Sequence, residues 1–191
     1  MNTQRLIASL LITGFAIWIL SLPFSLPEIY QTSDPFARVK IIEEHETQWK
    51  ISQSLFTLGF LVLAAGFTVF ALRLRTMGNA WIPALGGAAL VLGTISGLLF
   101  IYRQTTDTLR AYQGAYSGFE NIAYWLILAG LLLFGVAILQ SGLPAWLGYL
   151  ASGAAIVYSL VFLLMGTGFV TPGIEGILGL LIGFVLLYPY P

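Results

Sequence analysis

Residues 119–139 read FENIAYWLILAGLLLFGVAIL and contain a single charged side chain, Glu120, in the first turn. A helix needs about 20 mainly apolar residues to cross a hydrocarbon core that is about 30 Å thick. Lipid offers no hydrogen-bond partners to the backbone, so a span must satisfy its own amide groups as a helix. We therefore interpret this stretch as a transmembrane helix.

Five further stretches of the chain resemble it in length and composition. An alternating ten-residue pattern, which is typical of membrane barrels, is absent. The sequence therefore predicts an all-α fold, a polytopic transmembrane helix bundle in a single membrane domain over residues 1–191. The six predicted spans are residues 5–22, 51–72, 81–102, 119–139, 144–165 and 171–188.

Composition agrees with a membrane environment. Hydrophobic residues make up 58% of the chain and charged residues only 8%, whereas about a quarter of the residues in a soluble domain are charged. The net charge is zero, so no basic face is available for nucleic acid, and we expect membrane lipid as a partner instead. The absence of cysteine excludes disulfides and thiolate chemistry.

The start of the chain combines Arg5 with an apolar run at residues 6–22, a pattern that secretory signal peptides share. No small-x-small cleavage pattern follows, because the run leads into Leu22, Pro23 and Phe24. We expect a retained first helix.

Helix starts are indicated by capping residues. Asp34 and Thr171 each precede a proline, which predicts an N-cap followed by proline at the first helical position. Ser117 and Glu120 have the spacing of a capping box. The polar segment 23–50 is expected to contain an amphipathic helix over residues 36–50. We expect this helix to run unbroken into the second span and to rest on the bundle or at the headgroups, rather than to act as a ligand-binding cap.

An internal repeat is suggested by a shift of 65 residues, which places Trp81 on Trp146 and Leu85 on Leu150. The two hairpins would enter the membrane from the same side, as in the parallel repeats of some transporters. Apolar helices also share leucine and alanine by chance, and duplicated hairpins occur in proteins that transport nothing. All three interpretations stay open.

Orientation is predicted from basic residues near the helix ends. The side of the two termini holds Arg5, Arg73 and Arg75 without any acid, whereas the other side holds five cations and all eight acids. A strict count of cations favours the second side as cytoplasmic. We give more weight to the short, purely basic turn at residues 73–75 and expect both termini in the cytoplasm.

The centre of each predicted span lacks ionisable residues, which proton relays and intramembrane active sites normally need. This argues against proton-coupled pumping, and one histidine is too few for bis-histidine haem. We expect no cofactor and no metal. Small-xxx-small pairs at Gly93 with Gly97 and at Gly179 with Gly183 predict close helix packing instead.

If the chain has a site, we expect a polar, aromatic-walled mouth on the face that holds the acids. Glu43 and Glu46 share one side of a helix, and Glu120 and Glu175 lie at helix starts, where the dipole favours an anion. The candidate ligand-binding residues are Glu43, His45, Glu46, Tyr102, Arg103, Asp107, Glu120, Asn121, Tyr124, Trp125 and Glu175.

The stretch from Leu131 to Gly153, LLLFGVAILQSGLPAWLGYLASG, contains a Leu-Pro-x-Trp-Leu-Gly step at residues 143–148. It resembles a motif of small bacterial six-helix membrane proteins that are classed as a domain of unknown function. The resemblance implies a multi-pass protein of the bacterial plasma (inner) membrane. The motif concerns topology, so it carries no site residues over to this chain.

Three functions follow as hypotheses. The first is a non-enzymatic scaffold, accessory or interaction subunit that binds lipid or another membrane protein. The alternative is a transporter or receptor for a small, weakly polar or cationic molecule, because carboxylates and aromatic faces together suit cations. The third is an interfacial enzyme that uses Glu43, His45 or Glu46 as acid or base.

Overall fold

The fold is helical in the computed structural model. The structure describes residues 2–165 and 171–188, except for the side chains of residues 165, 171 and 172. The all-α prediction is confirmed, and the described residues contain no strand. The helices are α1 Thr3–Ser21, a 3-10 turn Leu22–Phe24, α2 Pro27–Gln31, α3 Pro35–Glu44, α4 Glu46–Leu74, α5 Trp81–Thr106, α6 Thr108–Tyr112, α7 Ser117–Leu139, α8 Ala145–Met165 and α9 Thr171–Leu187.

Five helical segments are long and apolar enough to cross a membrane: Thr3–Phe24, Glu46–Leu74, Trp81–Thr106, Ser117–Leu139 and Ala145–Leu164. They correspond to the first five predicted spans. The sixth predicted span coincides with α9, an apolar helix of 17 residues. At 1.5 Å per residue α9 is about 25 Å long, slightly less than the hydrocarbon thickness.

Neighbouring helices pack in the order α9, α1, α4, α5, α7 and α8, and a smaller contact between α8 and α9 closes the ring. Sequential packing of this kind follows from the short connections at residues 75–80 and 140–144. Helices α4 and α7 end 65 residues apart, at Leu74 and Leu139, but they begin 71 residues apart, so the predicted repeat stays a prediction. The ring has two ends: a terminal end, with the first residue of α1, the last residue of α9 and both short turns, and a far end, with the longer connections.

Glycines allow the backbones to approach closely where the helices pair. A Cβ on Gly14 of α1 would lie 2.7 Å from the backbone nitrogen of Leu63, and one on Gly59 of α4 would lie 2.8 Å from that of Trp18. No methyl group fits at such distances, so the α1–α4 contact requires glycine at both positions. The sequence predicted glycine-mediated packing but did not single out this pair.

The predicted glycine pair in α5 packs unequally. A Cβ on Gly93 would lie 2.9 Å from the Ile127 side chain, whereas one on Gly97 would have ordinary contact with Ala123 at 3.6 Å. In α9 a Cβ on Gly183 would lie 2.8 Å from the Ile12 side chain. Gly97 is loosely packed because it borders a cavity at the far end of the bundle.

Aromatic rings fill the middle of the bundle. Phe67, Phe70 and Phe134 are each 0% exposed, and the Phe134 ring centroid lies 5.6 Å from that of Phe67 and 5.7 Å from that of Phe70. Leu63 and Leu131 beside them are also fully buried. The bundle is therefore closed by a dense apolar layer between α4 and α7.

The capping predictions have different outcomes. Asp34 is confirmed as an N-cap, because its carboxylate accepts a hydrogen bond of 3.1 Å from the Phe36 amide. The capping box at Ser117 is wrong: Ser117 is already helical, and its amide donates to the Gly114 carbonyl of the preceding turn. Because of that turn, with Gly114 at φ 83°, α7 starts one residue before the position that the capping box predicted. The side chain of Thr171 lies outside the described residues.

The amphipathic helix before the second span exists, but it does not run unbroken into that span. His45, at φ −125° and ψ 33°, separates α3 from α4. On either side of this break the packing differs: α3 packs on α2 and α6, whereas α4 packs on α1 and α5. We call α2, α3 and α6 the cap. Its small apolar cluster is formed by Leu26, Ile29, Ile42 and Trp49, with Ile41 and Tyr112 against it.

Candidate functional site

A cavity of about 550 Å³ lies at the far end of the bundle. Helices α1, α4, α5 and α7 form most of its wall, and the 3-10 turn and α2 contribute at its rim. Binding sites for small molecules commonly have volumes of this order. The lining residues are Trp18, Ser21, Leu22, Ser25, Pro27, Tyr30, Ser52, Gln53, Phe56, Phe60, Gly97, Phe100, Ile101, Gln104, Glu120, Ala123, Tyr124, Ile127 and Gly173.

Among the described residues of this lining, Glu120 is the one that carries a charge. The ion pairs of the described residues involve other carboxylates, so the Glu120 carboxylate has no basic neighbour bound to it. The same lining contains aromatic rings from Trp18, Phe56, Phe60 and Phe100. A single carboxylate among aromatic faces is an arrangement that attracts cations.

Several hydroxyl groups of the lining are already used in hydrogen bonds within the bundle. Ser21 donates to the Trp18 carbonyl at 2.6 Å, and Ser52 donates to the Ser21 carbonyl at 3.3 Å. Tyr124 is 2% exposed, and its hydroxyl donates to the Tyr158 carbonyl of α8 at 2.8 Å. Tyr124 therefore ties α7 to α8, and what it offers the cavity is ring surface.

Glu175 lies deeper than the sequence predicted. We expected it at an exposed helix start, but α9 begins at Thr171 and Glu175 is one turn inside, with 0% exposure. A Cβ on the adjacent Gly176 would lie 2.9 Å from Phe15 and 3.8 Å from Trp18, so Glu175 lies at the depth of the cavity lining. Neither carboxylate oxygen has a hydrogen-bond partner in the part of the chain that the structure describes. An ionised carboxylate in such surroundings costs several kcal/mol.

The candidate residues at the junction of α3 and α4 lie apart from the cavity. Glu43, His45 and Glu46 are exposed, and Glu46 accepts a hydrogen bond from Lys50 in the next turn of α4. None of the three lines the cavity. Nor do the described residues contain a group of three or more histidine, aspartate or glutamate side chains that could hold a metal ion.

A second set of predicted residues forms its own cluster between α5 and α7. The Arg103 guanidinium lies 5.3 Å from the Tyr116 ring centroid and 5.9 Å from that of Tyr102. The Tyr116 hydroxyl donates to the Asp107 carboxylate at 2.6 Å, and this hydrogen bond raises the pKa of Tyr116. The cluster does not contribute to the cavity lining.

The remaining two candidates are on the outer surface of α7. Asn121 is exposed, and Trp125 is 40% exposed and lines a shallow apolar groove between α7 and α8. The structure therefore brings only Glu120 and Tyr124 of the predicted residues together in the cavity, with Glu175 buried near it.

Sequence reasoning missed the apolar part of this lining. Trp18, Phe60 and Phe100 resemble ordinary lipid-facing or core residues in an apolar helix, so composition does not distinguish them. A weak signal was present in Gln53 and Gln104, amides at the far ends of α4 and α5. The positions where α4 and α5 end can be predicted from hydropathy. That these two helix ends lie beside α1 and form a cavity with it cannot.

The cap is predicted to be sensitive to alkali. Burial raises the pKa of Tyr112, and nearby Tyr30 raises it further, while Arg38, at 5.3 Å from the ring centroid, opposes the shift. A tyrosine whose pKa is raised by folding contributes to the free energy of unfolding. This contribution is complete below the pKa of tyrosine in the unfolded chain, about 10, and is lost as the pH rises through the pKa of the folded protein.

We therefore expect the melting temperature to fall above about pH 10, and Tyr112→Phe to weaken that dependence. Spectrophotometric titration of tyrosinate should show a group that ionises last among the tyrosines and that is absent from the variant. Tyr149→Phe, at an exposed tyrosine on α8, is the control, and an unchanged late group in Tyr112→Phe would contradict the prediction.

Comparison of the chain with protein-family models, with curated proteins and with solved structures found no match. The functional conclusions therefore rest on the geometry of the cavity and its surroundings.

Proposed function

We propose that this chain is a six-helix integral membrane protein that binds a small, mainly apolar cation in the cavity at its far end. The observation that carries the proposal is the combination of a cavity of about 550 Å³ with one carboxylate, Glu120, and a wall of aromatic rings. Aromatic faces and a carboxylate stabilise a cation together, and the apolar lining favours a ligand with a hydrophobic body.

A binding or receptor role fits the structure better than a continuous transport path. Toward the terminal end the cavity ends at Phe60 and Ile127, and beyond them lies the buried layer of Phe67, Phe70 and Phe134. A path through the membrane would require these packed rings to separate. We accordingly place the ligand in one half of the bundle.

The proposed topology has six spans, with both termini in the cytoplasm of a bacterial cell, and the cavity faces the outside. Helix α9 crosses the membrane with the help of local thinning, which costs little for a mismatch of a few ångströms. The basic turn with Arg73 and Arg75 supports this orientation. An external ligand then reaches the cavity without crossing the bundle.

Single-cysteine variants test the topology cleanly, because the chain has no cysteine of its own. We expect a membrane-impermeant maleimide on intact cells to label Gln113→Cys, and to label Asn2→Cys, Asn79→Cys and Tyr188→Cys only after permeabilisation. Labelling of Tyr188→Cys in intact cells, alongside protected Asn79→Cys, would mean that α9 does not cross. If Gln113→Cys were protected in intact cells and the other three cysteines were labelled, the orientation would be the opposite of the one proposed.

Ligand binding is tested with benzyltrimethylammonium and its uncharged isostere neopentylbenzene, by calorimetry on protein in nanodiscs. We expect the cation to bind, and Gly97→Leu, which places a larger side chain in the cavity, to abolish binding. Gly118→Leu is the matched control, because a Cβ added at Gly118 would have no atom within 4 Å and Gly118 does not line the cavity. Equal binding by both variants would contradict the proposal.

Charge recognition is tested at Glu120. We expect Glu120→Gln to weaken binding of benzyltrimethylammonium about tenfold, which corresponds to ~1.4 kcal/mol, and to leave neopentylbenzene binding unchanged. An equal effect on both compounds would show that Glu120 shapes the cavity without recognising charge.

The scaffold or accessory role is the second candidate, and the outer face of α8 favours it. This helix is the least buried of the five long apolar helices, and it exposes Trp146, Tyr149, Leu163 and Leu164. Recovery of a stoichiometric membrane partner after mild solubilisation would support that role, whereas a solitary protein with an occupied cavity would favour ligand binding.

A further inference from the structure

Three polar side chains with buried polar atoms lie on helices that contribute to the cavity lining. The atoms concerned are Nε1 of Trp18, Oγ1 of Thr94 and both carboxylate oxygens of Glu175, and none of them has a hydrogen-bond partner among the described residues. Trp18 lines the cavity, Thr94 is one turn deeper than the lining residue Gly97, and Glu175 follows the lining residue Gly173 by two positions. Thr94 is 2% and Glu175 0% exposed.

Unpaired polar atoms inside a protein are unfavourable and rare. Glu175 lacks a partner among the described residues and lies close to the lining residues Gly173 and Trp18, so a ligand in the cavity can serve as its partner. Glu175 is the only acid of the three, so its charge decides what that partner can be.

No described side chain neutralises Glu175. The elements packed against α9 are α1, α4, α7 and α8, and none of their titratable groups forms an ion pair or hydrogen bond with it. Those of α1 and α4 lie at helix ends, and those of α7 and α8 are an acid and three tyrosines. They are Arg5, Glu46, Lys50, Arg73, Glu120, Tyr124, Tyr149 and Tyr158.

We propose that Glu175 is the inner counter-ion of the cavity, protonated while the cavity is empty and deprotonated when a cation occupies it. This inference rests on the proposed cation binding. The O–H bond of the Glu175 carboxylic acid breaks, the proton leaves to solvent, and the carboxylate pairs with the entering cation. Charge balances, because one positive charge enters as another leaves. Cation binding is therefore linked to proton release.

The resting state is tested without any ligand. We expect the infrared spectrum to contain the C=O stretching band of a buried, protonated carboxylic acid. Glu175→Gln should remove this band, and Glu120→Gln should leave it in place. Glutamine has nearly the shape of the protonated acid, so we expect the variant to fold, which its melting temperature will show. Absence of the band in the unaltered protein, or its persistence in Glu175→Gln, would overturn the proposal.

The exchange is tested with benzyltrimethylammonium, a quaternary cation that carries no exchangeable proton of its own. Released protons are counted with a pH-sensitive dye in weakly buffered nanodisc samples. We expect about one proton per bound cation in the unaltered protein, the same number in Glu120→Gln despite weaker binding, and none in Glu175→Gln. Neopentylbenzene should release none from any of them.

The outcomes separate this inference from the proposed function. Cation binding without proton release by the unaltered protein would overturn the role of Glu175 and leave the cavity as a cation site. Proton release that persists in Glu175→Gln would have the same meaning. Failure of both probes to bind would overturn the two proposals together.

Discussion

Alanine in place of Gly135 is expected to lower the free energy of unfolding by about 3 kcal/mol, the upper part of the usual range for overpacking. The added Cβ would overlap Oγ of Ser152 and would lie 2.7 Å from the Gly148 carbonyl oxygen and 2.8 Å from the Ser152 backbone nitrogen. The serine side chain can rotate away, but the two backbone atoms cannot. Helices α7 and α8 must therefore separate along their whole contact.

The measurement is reversible unfolding by detergent titration, followed by circular dichroism. Gly153→Ala is the matched control on α8, because no atom lies within 4 Å of its added Cβ, and we expect a change within about 0.5 kcal/mol. The double variant Gly135→Ala with Ser152→Gly should remain destabilised, since the backbone contacts remain. Full recovery in the double variant would show that only the serine hydroxyl opposed the methyl group.

Removal of the Phe134 ring is expected to cost a similar amount, about 3 kcal/mol. Phe134 is 0% exposed and packs against both Phe67 and Phe70, so Phe134→Ala leaves an empty space in the middle of the bundle. Lipid also shields apolar side chains in the unfolded state, so the loss comes mainly from packing contacts rather than from transfer out of water.

Phe184→Ala is the control for the aromatic layer, because Phe184 is 46% exposed on α9. We expect the same detergent titration to show little change for it. In addition, Phe134→Ala should leave benzyltrimethylammonium binding intact in the fraction that is folded, since Phe134 does not line the cavity. Equal destabilisation by both variants would mean that the three buried rings do not form a dense layer.

Helix positions were predicted well where hydropathy alone determines them. Residues 119–139 and 51–72 lie within α7 and α4, because a run of apolar residues long enough to cross lipid has no other stable conformation there. The N-cap at Asp34 was also predicted, since an aspartate before proline is a local signal. The predicted N-cap at Ser117 was wrong because the turn at Gly114 starts α7 earlier. The serine-to-glutamate spacing on which that prediction rested contains no information about the preceding turn.

The candidate site was predicted in part. Glu120 and Tyr124 belong to the cavity, but Glu43 and His45 lie on the surface. The prediction grouped acids by the side of the membrane on which they lie. Proximity along the membrane normal says nothing about which helices are neighbours, and α3 turns out to rest outside the ring that encloses the cavity.

The sequence by itself determined that the chain is helical and suited to lipid, because composition and the length of apolar runs respond to the solvent around each segment. Residues 119–139 are an example that needs no partner to be recognised. Only the tertiary structure decided the order of the helices, the cavity beside Trp18 and the burial of Glu175. These depend on close contacts such as those at Gly59 and Gly135, which involve residues far apart in the chain and leave no periodic pattern in it.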